Sequence, residues 1–163
     1  VKDEKVKKYI LSYFLEMIRT TLFRQTQFAE FEYEAHNLAF NGEPLTKDTL
    51  NKLYGDLNKK YYGEAVVTDD NISTEWARIP HFYTSFYVYK YATGITSALA
   101  IADRILNEGE PAVKDYFKFL SSGSSDSPVE LLKIAGVDLN KPQVFEKAMN
   151  MFKEYLDEFN KLN

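Results

Sequence analysis

The sequence predicts an all-α protein, a multi-helix bundle, on three observations. In the long segments, apolar residues recur at three- and four-residue spacing, which is the period of one helical face. Prolines stand where these segments begin and glycines where they end, as is typical of helix termini. The one β-branched patch, "EAVVTDDN" at 64–71, has no segment with which it could pair as a strand. The chain has 163 residues, enough for one core, so we expect a single helical domain over residues 1–163.

Turn residues delimit the first two helices. One long helix is predicted from about Lys5 to Leu38, because its apolar residues follow a single helical face. "NGEPLT" at 41–46 ends this helix with a glycine and a proline, and Thr46 can cap a second helix that runs to about Tyr61. Gly63 is placed to end the second helix.

A central helix is predicted from Pro80 to Asn107. Proline suits the first position of a helix, where the missing N–H would have no partner within the helix. Between Ile79 and Ala102 the only formal charge is Lys90. We therefore expect this helix to be the most buried of the chain.

Three further helices follow the same rules. Pro111 starts a short helix that runs to about Leu120. Ser127, Pro128 and Glu130 form a capping-box pattern that starts another helix, which ends near Gly136. A last amphipathic helix begins at Pro142 and continues through Phe159.

Composition excludes several classes of function. The formal charge is −4, and basic and acidic residues alternate without a basic stripe, so no nucleic acid and no membrane is expected as a partner. The chain has no cysteine, which excludes disulfides and thiolate metal sites. Its two histidines, His36 and His81, are far apart in sequence, and Glu32 with His36 supplies only two ligands. A four-coordinate zinc site needs more, so no metal is expected within this chain.

The acidic cluster "FAEFEYE" at 28–34 allows two interpretations. Its glutamates and Arg24 form solvated or interhelical ion pairs in the first. In the second, one carboxylate or Arg24 is a buried support for neighbouring site residues. The sequence leaves both open.

The stretch "RIPHFYTSFYVYKYATG" at 78–94 is the most unusual of the chain, because a plain core helix would not use so many hydroxyls. At 100° per residue, Tyr83, Tyr87 and Tyr91 share about a quarter of the helix circumference. His81 and Tyr89 then lie on the opposite half. Either the aromatic side chains form a core and bond backbone carbonyls, or they are a row of neutral donors facing a cleft. Such donors suit a developing oxyanion or a peptide backbone.

Several blocks of the sequence, taken in order, resemble a known family: "IRTTLFRQTQFAEFEYEAH", "YYGEAV", "WARIPHFYTSFYVYKYATG" and "SPVELLKIAGVDL". They are similar to the C-terminal part of oligoendopeptidase F, a branch of the thimet-oligopeptidase-like zinc metallopeptidases. The resemblance covers essentially the whole chain. It implies the C-terminal segment of a zincin-type helical oligopeptidase with a deep channel. Zinc in that family is bound by a His-Glu-x-x-His helix and a later glutamate, both upstream of this segment.

The resemblance also implies catalytic residues. In the family a histidine and one or two tyrosines face the zinc and stabilise the tetrahedral intermediate of peptide hydrolysis. His81 matches that histidine, Tyr83 and Tyr89 are the first matches for the tyrosines, and Tyr87 is the next. The remaining aromatic residues, Tyr91 and Phe86 among them, would line the channel and bind substrate.

We therefore expect a cytoplasmic zinc metalloendopeptidase that hydrolyses short oligopeptides. Its partners would be the oligopeptide substrate and the N-terminal remainder of the same peptidase. Because the chain opens on Val1 and passes directly into a helix, it is expected to be a fragment. It lacks the zinc ligands that the resemblance implies, so the fragment is expected to be inactive alone. The alternative is a free-standing helical peptide- or protein-binding module without catalysis. A His-Glu-x-x-His motif encoded upstream of Val1 would distinguish the two.

Overall fold

The structure, a computed structural model, describes residues 2–162 of the chain. This range contains helices and no strands, so the predicted all-α class is confirmed. None of its helices is both long and apolar enough to cross a membrane. The α-helices are α1 (Glu4–Ile18), α2 (Arg24–Phe40), α3 (Lys47–Tyr62), α4 (Tyr89–Glu108), α5 (Glu110–Ser121), α6 (Pro128–Ile134) and α7 (Pro142–Lys161).

The helix ends depend on the predicted local interactions. The Thr46 side chain accepts a hydrogen bond from the backbone N–H of Thr49, and α3 ends at Gly63, whose φ is +65°. The Ser127 side chain accepts from the backbone N–H of Glu130 at the start of α6. The predicted caps at Thr46 and Ser127 are confirmed, but the reciprocal half of the capping box is not formed, because the Ser127 N–H donates to Asp126 and Glu130 bonds Lys133.

The predicted first helix is interrupted by a π-helical turn. α1 and α2 together cover most of the predicted range from Lys5 to Leu38, but residues Arg19–Phe23 adopt the wider π geometry. Such single turns occur often at functional sites of helical proteins.

The predicted continuous helix from Pro80 to Asn107 is wrong in its first part. Pro80–Tyr83 forms one 3₁₀ turn, and α4 begins only at Tyr89. Residues 84–88 between them form a non-helical turn, the turn before α4. Phe86 has a φ of +56°, which a right-handed helix does not allow. The first part is also far from buried, since Tyr83 is 85% exposed.

The chain forms two compact units. One is the segment Arg19–Ala92, and the other is made of the segments on either side of it. The expected single domain over residues 1–163 stays a prediction.

The unit Arg19–Ala92 is built on α2, α3 and the two 3₁₀ helices, Asp70–Arg78 and Pro80–Tyr83. Its core consists of buried side chains from each of these segments and from the turn before α4: Phe28, Phe31, Tyr54, Leu57, Ile79 and Val88. Val88, the last residue of the turn before α4, therefore anchors that turn in the core.

In the other unit, α1 packs on α7, and the rings of Phe14 and Tyr155 meet edge to face at 4.9 Å. A second core joins α4 to α6 and the residues after it through Ala100, Ile101, Ala135 and Val137.

Candidate functional site

The 3₁₀ turn Pro80–Tyr83 carries His81 and is anchored by its neighbours. Ile79 is only 6% exposed. The Phe82 ring packs on two rings of α2, with centroids 5.8 Å from Phe28 and 5.2 Å from Phe31. Because apolar residues on both sides are held in the core, His81 lies partly exposed at its edge.

His81, Tyr87 and Tyr91 form one cluster. A hydrogen bond of 3.1 Å joins His81 Nε2 and Tyr91 Oη. The imidazole stacks on the Tyr87 ring at a centroid distance of 5.6 Å, and the two tyrosine rings meet edge to face at 5.7 Å. The expectation that His81 lies on the opposite face from Tyr87 and Tyr91 is wrong, because the chain between them is a turn and not a helix.

The two tyrosines of this cluster have different polar contacts. The Lys90 ammonium lies over the Tyr87 ring, 4.8 Å from its centroid, in a cation–π contact. The pKa of Tyr91 is raised above its usual value, first by a hydrogen bond with the Tyr87 side chain and then by desolvation. Tyr91 is therefore a neutral phenol at physiological pH, able to donate as well as accept.

The other predicted site residues lie outside this cluster and are accessible. Tyr83 is 85% exposed, Tyr89 49% and Phe86 48%. The Phe86 ring contacts the imidazole of His36 on α2, with centroids 4.6 Å apart. His36 is therefore an aromatic packing partner in this structure.

A carboxylate of the acidic cluster at 28–34 supports the turn before α4. Glu32 is 5% exposed, and its Oε1 accepts the backbone N–H of Phe86 at 2.6 Å. Glu32 is buried, as the second interpretation of that cluster requires, and the role of the supported turn in a functional site stays a prediction. Glu30 follows the first, because it pairs with Lys60 and accepts from the Tyr61 hydroxyl of α3.

A second buried carboxylate, Glu75, fastens the 3₁₀ helix that precedes His81. Its two oxygens accept from Arg24 Nη2 and from the Tyr54 hydroxyl, each at 2.6 Å, and Arg78 donates to it as well. Burial alone would raise the pKa of Glu75, but the hydrogen bonds from Tyr54 and Arg24 outweigh it and lower that pKa. No sequence motif pointed to Glu75.

An apolar cavity of about 220 Å³ lies beside the contact between α2 and the turn. Its lining combines aromatic and aliphatic side chains with one carboxylate and one imidazole: Phe31, Glu32, Ala35, His36, Leu45, Leu50, Trp76 and Phe82. The two predicted substrate-binding residues, Phe86 and Tyr91, are not among these residues.

Zinc, the metal that the resemblance implies, does not fit these residues. Within residues 2–162, no group of three or more histidine, aspartate or glutamate side chains could hold a metal ion. His81 Nε2 is hydrogen-bonded to the Tyr91 hydroxyl, and Glu32 Oε1 accepts the backbone N–H of Phe86.

The described residues therefore form an all-α structure in which α2 supports the turn of an aromatic segment. The chain belongs to peptidase family M3, whose family model matches residues 1–151. It is 52% identical over 162 residues to Oligopeptidase PepF of Bacillus subtilis (strain 168), covering 99% of this chain and 24% of that protein. It is 46% identical over 160 residues to an Oligoendopeptidase F homolog of Borreliella burgdorferi, covering 98% of this chain and 27% of that protein.

A solved structure agrees with these sequence relatives. The crystal structure of oligoendopeptidase-F from Enterococcus faecium superposes with a TM-score of 0.96 at 47% identity, covering 99% of this chain and 31% of that chain. The resemblance to oligoendopeptidase F is therefore confirmed. The chain spans about a quarter of the length of the curated relatives it matches, 24% and 27% for the two named above.

Proposed function

We propose that this chain is the C-terminal helical segment of a cytoplasmic zinc metalloendopeptidase that hydrolyses short oligopeptides. In this proposal the chain forms one wall of the substrate channel and supplies His81 and tyrosine side chains that stabilise the transition state. The observation that carries it is the cluster of His81, Tyr87 and Tyr91, in a segment that also carries the exposed Tyr83 and Tyr89. Zinc would be held by the remainder of the protein, with which this chain would assemble.

The chemistry requires neutral donors that are already in position. During peptide hydrolysis, negative charge develops on the carbonyl oxygen as the tetrahedral intermediate forms. A phenol or an imidazole N–H that already points to that oxygen stabilises it without reorganisation. Tyr91 holds one nitrogen of His81, which leaves Nδ1 as the nitrogen that can bond a substrate.

The exposed side chains are proposed to contact the substrate. Tyr83 and Tyr89 are 85% and 49% exposed, so a substrate can reach their side chains. Tyr87 stacks on the imidazole and fixes its plane, so it is the next candidate donor. Phe86 and Tyr91 would contact substrate side chains and backbone along the same surface.

The experiment is kinetic and uses the full-length peptidase with a fluorogenic oligopeptide. His81→Ala, and Tyr→Phe at the position of the true donor, should each lower kcat by about 10²–10³. KM should change little, because such donors act mainly in the transition state. Tyr33→Phe is the matched control, since Tyr33 is a 57% exposed tyrosine on α2 that lies outside the cluster. If His81→Ala and Tyr→Phe at 83, 87, 89 and 91 all retain near-normal kcat, the proposed catalytic role is wrong. A protein that binds oligopeptides without hydrolysing them would instead support a binding module.

A further inference from the structure

The turn before α4 has a conformation that its sequence does not favour. The backbone N–H of Tyr87 donates to the carbonyl oxygen of Thr84 at 3.2 Å, so Phe86 is the third residue of a four-residue turn. Phe86 has a φ of +56°, and it is the one non-glycine residue with positive φ in the described range 2–162. Glycine or asparagine normally occupies such a turn position, because a Cβ makes the left-handed region unfavourable. An interaction elsewhere must therefore hold Phe86 in place.

α2 holds this turn at two points. Glu32 Oε1 accepts the Phe86 backbone N–H at 2.6 Å, from a residue that is 5% exposed. One helical turn later, His36 packs on the Phe86 ring. A hydrogen bond between a carboxylate and a backbone N–H in a largely water-excluded place is among the stronger ones in proteins.

The turn before α4 sets the geometry of the cluster of His81, Tyr87 and Tyr91. Tyr87 follows Phe86 directly, and its ring stacks on His81. Val88 comes next and is completely buried in the core. Any change in the Phe86 backbone torsion therefore moves Tyr87 relative to His81, because the chain is fixed immediately afterwards.

We propose that Glu32 is a positioning residue for the His81, Tyr87 and Tyr91 cluster. Its carboxylate holds Phe86 in the left-handed conformation through the backbone N–H, and this keeps Tyr87 stacked on the imidazole. Glu32 does not itself contact substrate in this proposal. The inference rests on the proposed function only for its effect on catalysis, whereas its effect on the turn stands alone.

The first test measures the turn without any assay of activity. Hydrogen–deuterium exchange of the Phe86 amide in the full-length protein should be at least about tenfold faster in Glu32→Ala than in wild type. Glu32→Gln, which keeps an acceptor oxygen of the same shape, should retain most of the protection. Glu30→Ala is the matched control, because it removes an interhelical pair from the same helix without touching the turn. Equal exchange at Phe86 in wild type and Glu32→Ala would overturn the proposal.

The second test asks whether the turn matters for catalysis. Displacement of a reacting group by about 1 Å can cost 10²-fold in rate, so Glu32→Ala should lower kcat by roughly 10- to 100-fold with a smaller change in KM. Glu32→Gln should restore kcat to within about threefold of wild type, and Glu30→Ala should leave it unchanged. Thermal unfolding of each variant shows whether the protein is folded. A folded Glu32→Ala enzyme with wild-type kcat would overturn the proposal.

The Phe86→Gly variant separates a positioning role of Glu32 from a general loss of structure. Glycine adopts the left-handed conformation without strain, so Phe86→Gly reduces the need for the carboxylate. In that background, adding Glu32→Ala should lower kcat by less than about threefold. An undiminished effect of Glu32→Ala there would contradict the proposed mechanism.

His81→Ala distinguishes the two failures. If His81→Ala loses kcat while Glu32→Ala does not, only the positioning role is wrong. If His81→Ala keeps kcat, the proposed catalytic function is wrong, and the effect of Glu32 on the turn is then decided by hydrogen–deuterium exchange at Phe86 alone.

Discussion

The buried hydroxyl of Tyr54 offers a test of what holds the unit Arg19–Ala92 together. Tyr54 is fully buried on α3, and its hydroxyl donates to Glu75 Oε2 at 2.6 Å. Burial first, and then its hydrogen bond to Glu75, raise the pKa of Tyr54 well above its usual value, so the hydroxyl stays a donor. Tyr54→Phe removes this donor and keeps the ring, so core packing is conserved.

Tyr61, on the same helix, is the matched control. Its hydroxyl donates to Glu30 Oε2 at 2.8 Å, but the Glu30 side chain is 27% exposed, whereas that of Glu75 is 6% exposed. A hydrogen bond to a charged group contributes about 1.5–3 kcal/mol, and it contributes less where water can reach and replace the acceptor's partner. We expect Tyr54→Phe to cost about 2 kcal/mol of unfolding free energy and Tyr61→Phe about 0.5–1 kcal/mol.

The assay is urea unfolding at pH 7 followed by far-UV circular dichroism. The midpoint should fall with an unchanged slope, which indicates a change of stability and not of compactness. In a Glu75→Gln background the effect of Tyr54→Phe should shrink by about 1 kcal/mol, because the acceptor has lost its charge. If Tyr54→Phe costs no more than Tyr61→Phe, Glu75 and its partners do not stabilise the unit in this way.

Two further predictions concern stability. The pKa of Glu75 is lowered in the folded state from an ordinary value of 4.5, so its contribution is present above that pH and is lost as pH falls through the folded value. The melting temperature of the wild type should therefore drop between about pH 5 and pH 3 more steeply than that of Glu75→Gln, and parallel curves would contradict this. Gly136→Ala should destabilise by about 1 kcal/mol more than Gly42→Ala. Both glycines have positive φ, but a Cβ at Gly136 would clash with the Arg104 guanidinium, whereas Gly42 faces open space. Equal melting temperatures of the two variants would refute a role for Arg104.

The ends of most helices could be predicted from the sequence because the interactions that set them are local. The Thr46 and Ser127 caps each join residues three positions apart. Gly63 needs only a backbone torsion that other residues avoid. These interactions are the same in almost any tertiary context, so sequence chemistry suffices for them.

The sequence also identified the aromatic segment at 78–94 as the candidate site, since its composition does not suit a plain core helix. It could not supply the arrangement of that segment. The helical period placed His81 opposite Tyr87 and Tyr91, and the structure brings the three together.

Only the tertiary structure decided this arrangement, because the contacts that fix it come from residues distant in sequence. The Phe86 N–H bonds a carboxylate 54 residues earlier, and Val88 is drawn into the core formed with α2 and α3. Together these contacts outweigh the local preference for a continuous helix and hold one residue in the left-handed conformation. The sequence by itself determined which side chains stand in the segment, whereas Glu32 and the core determined which of them meet.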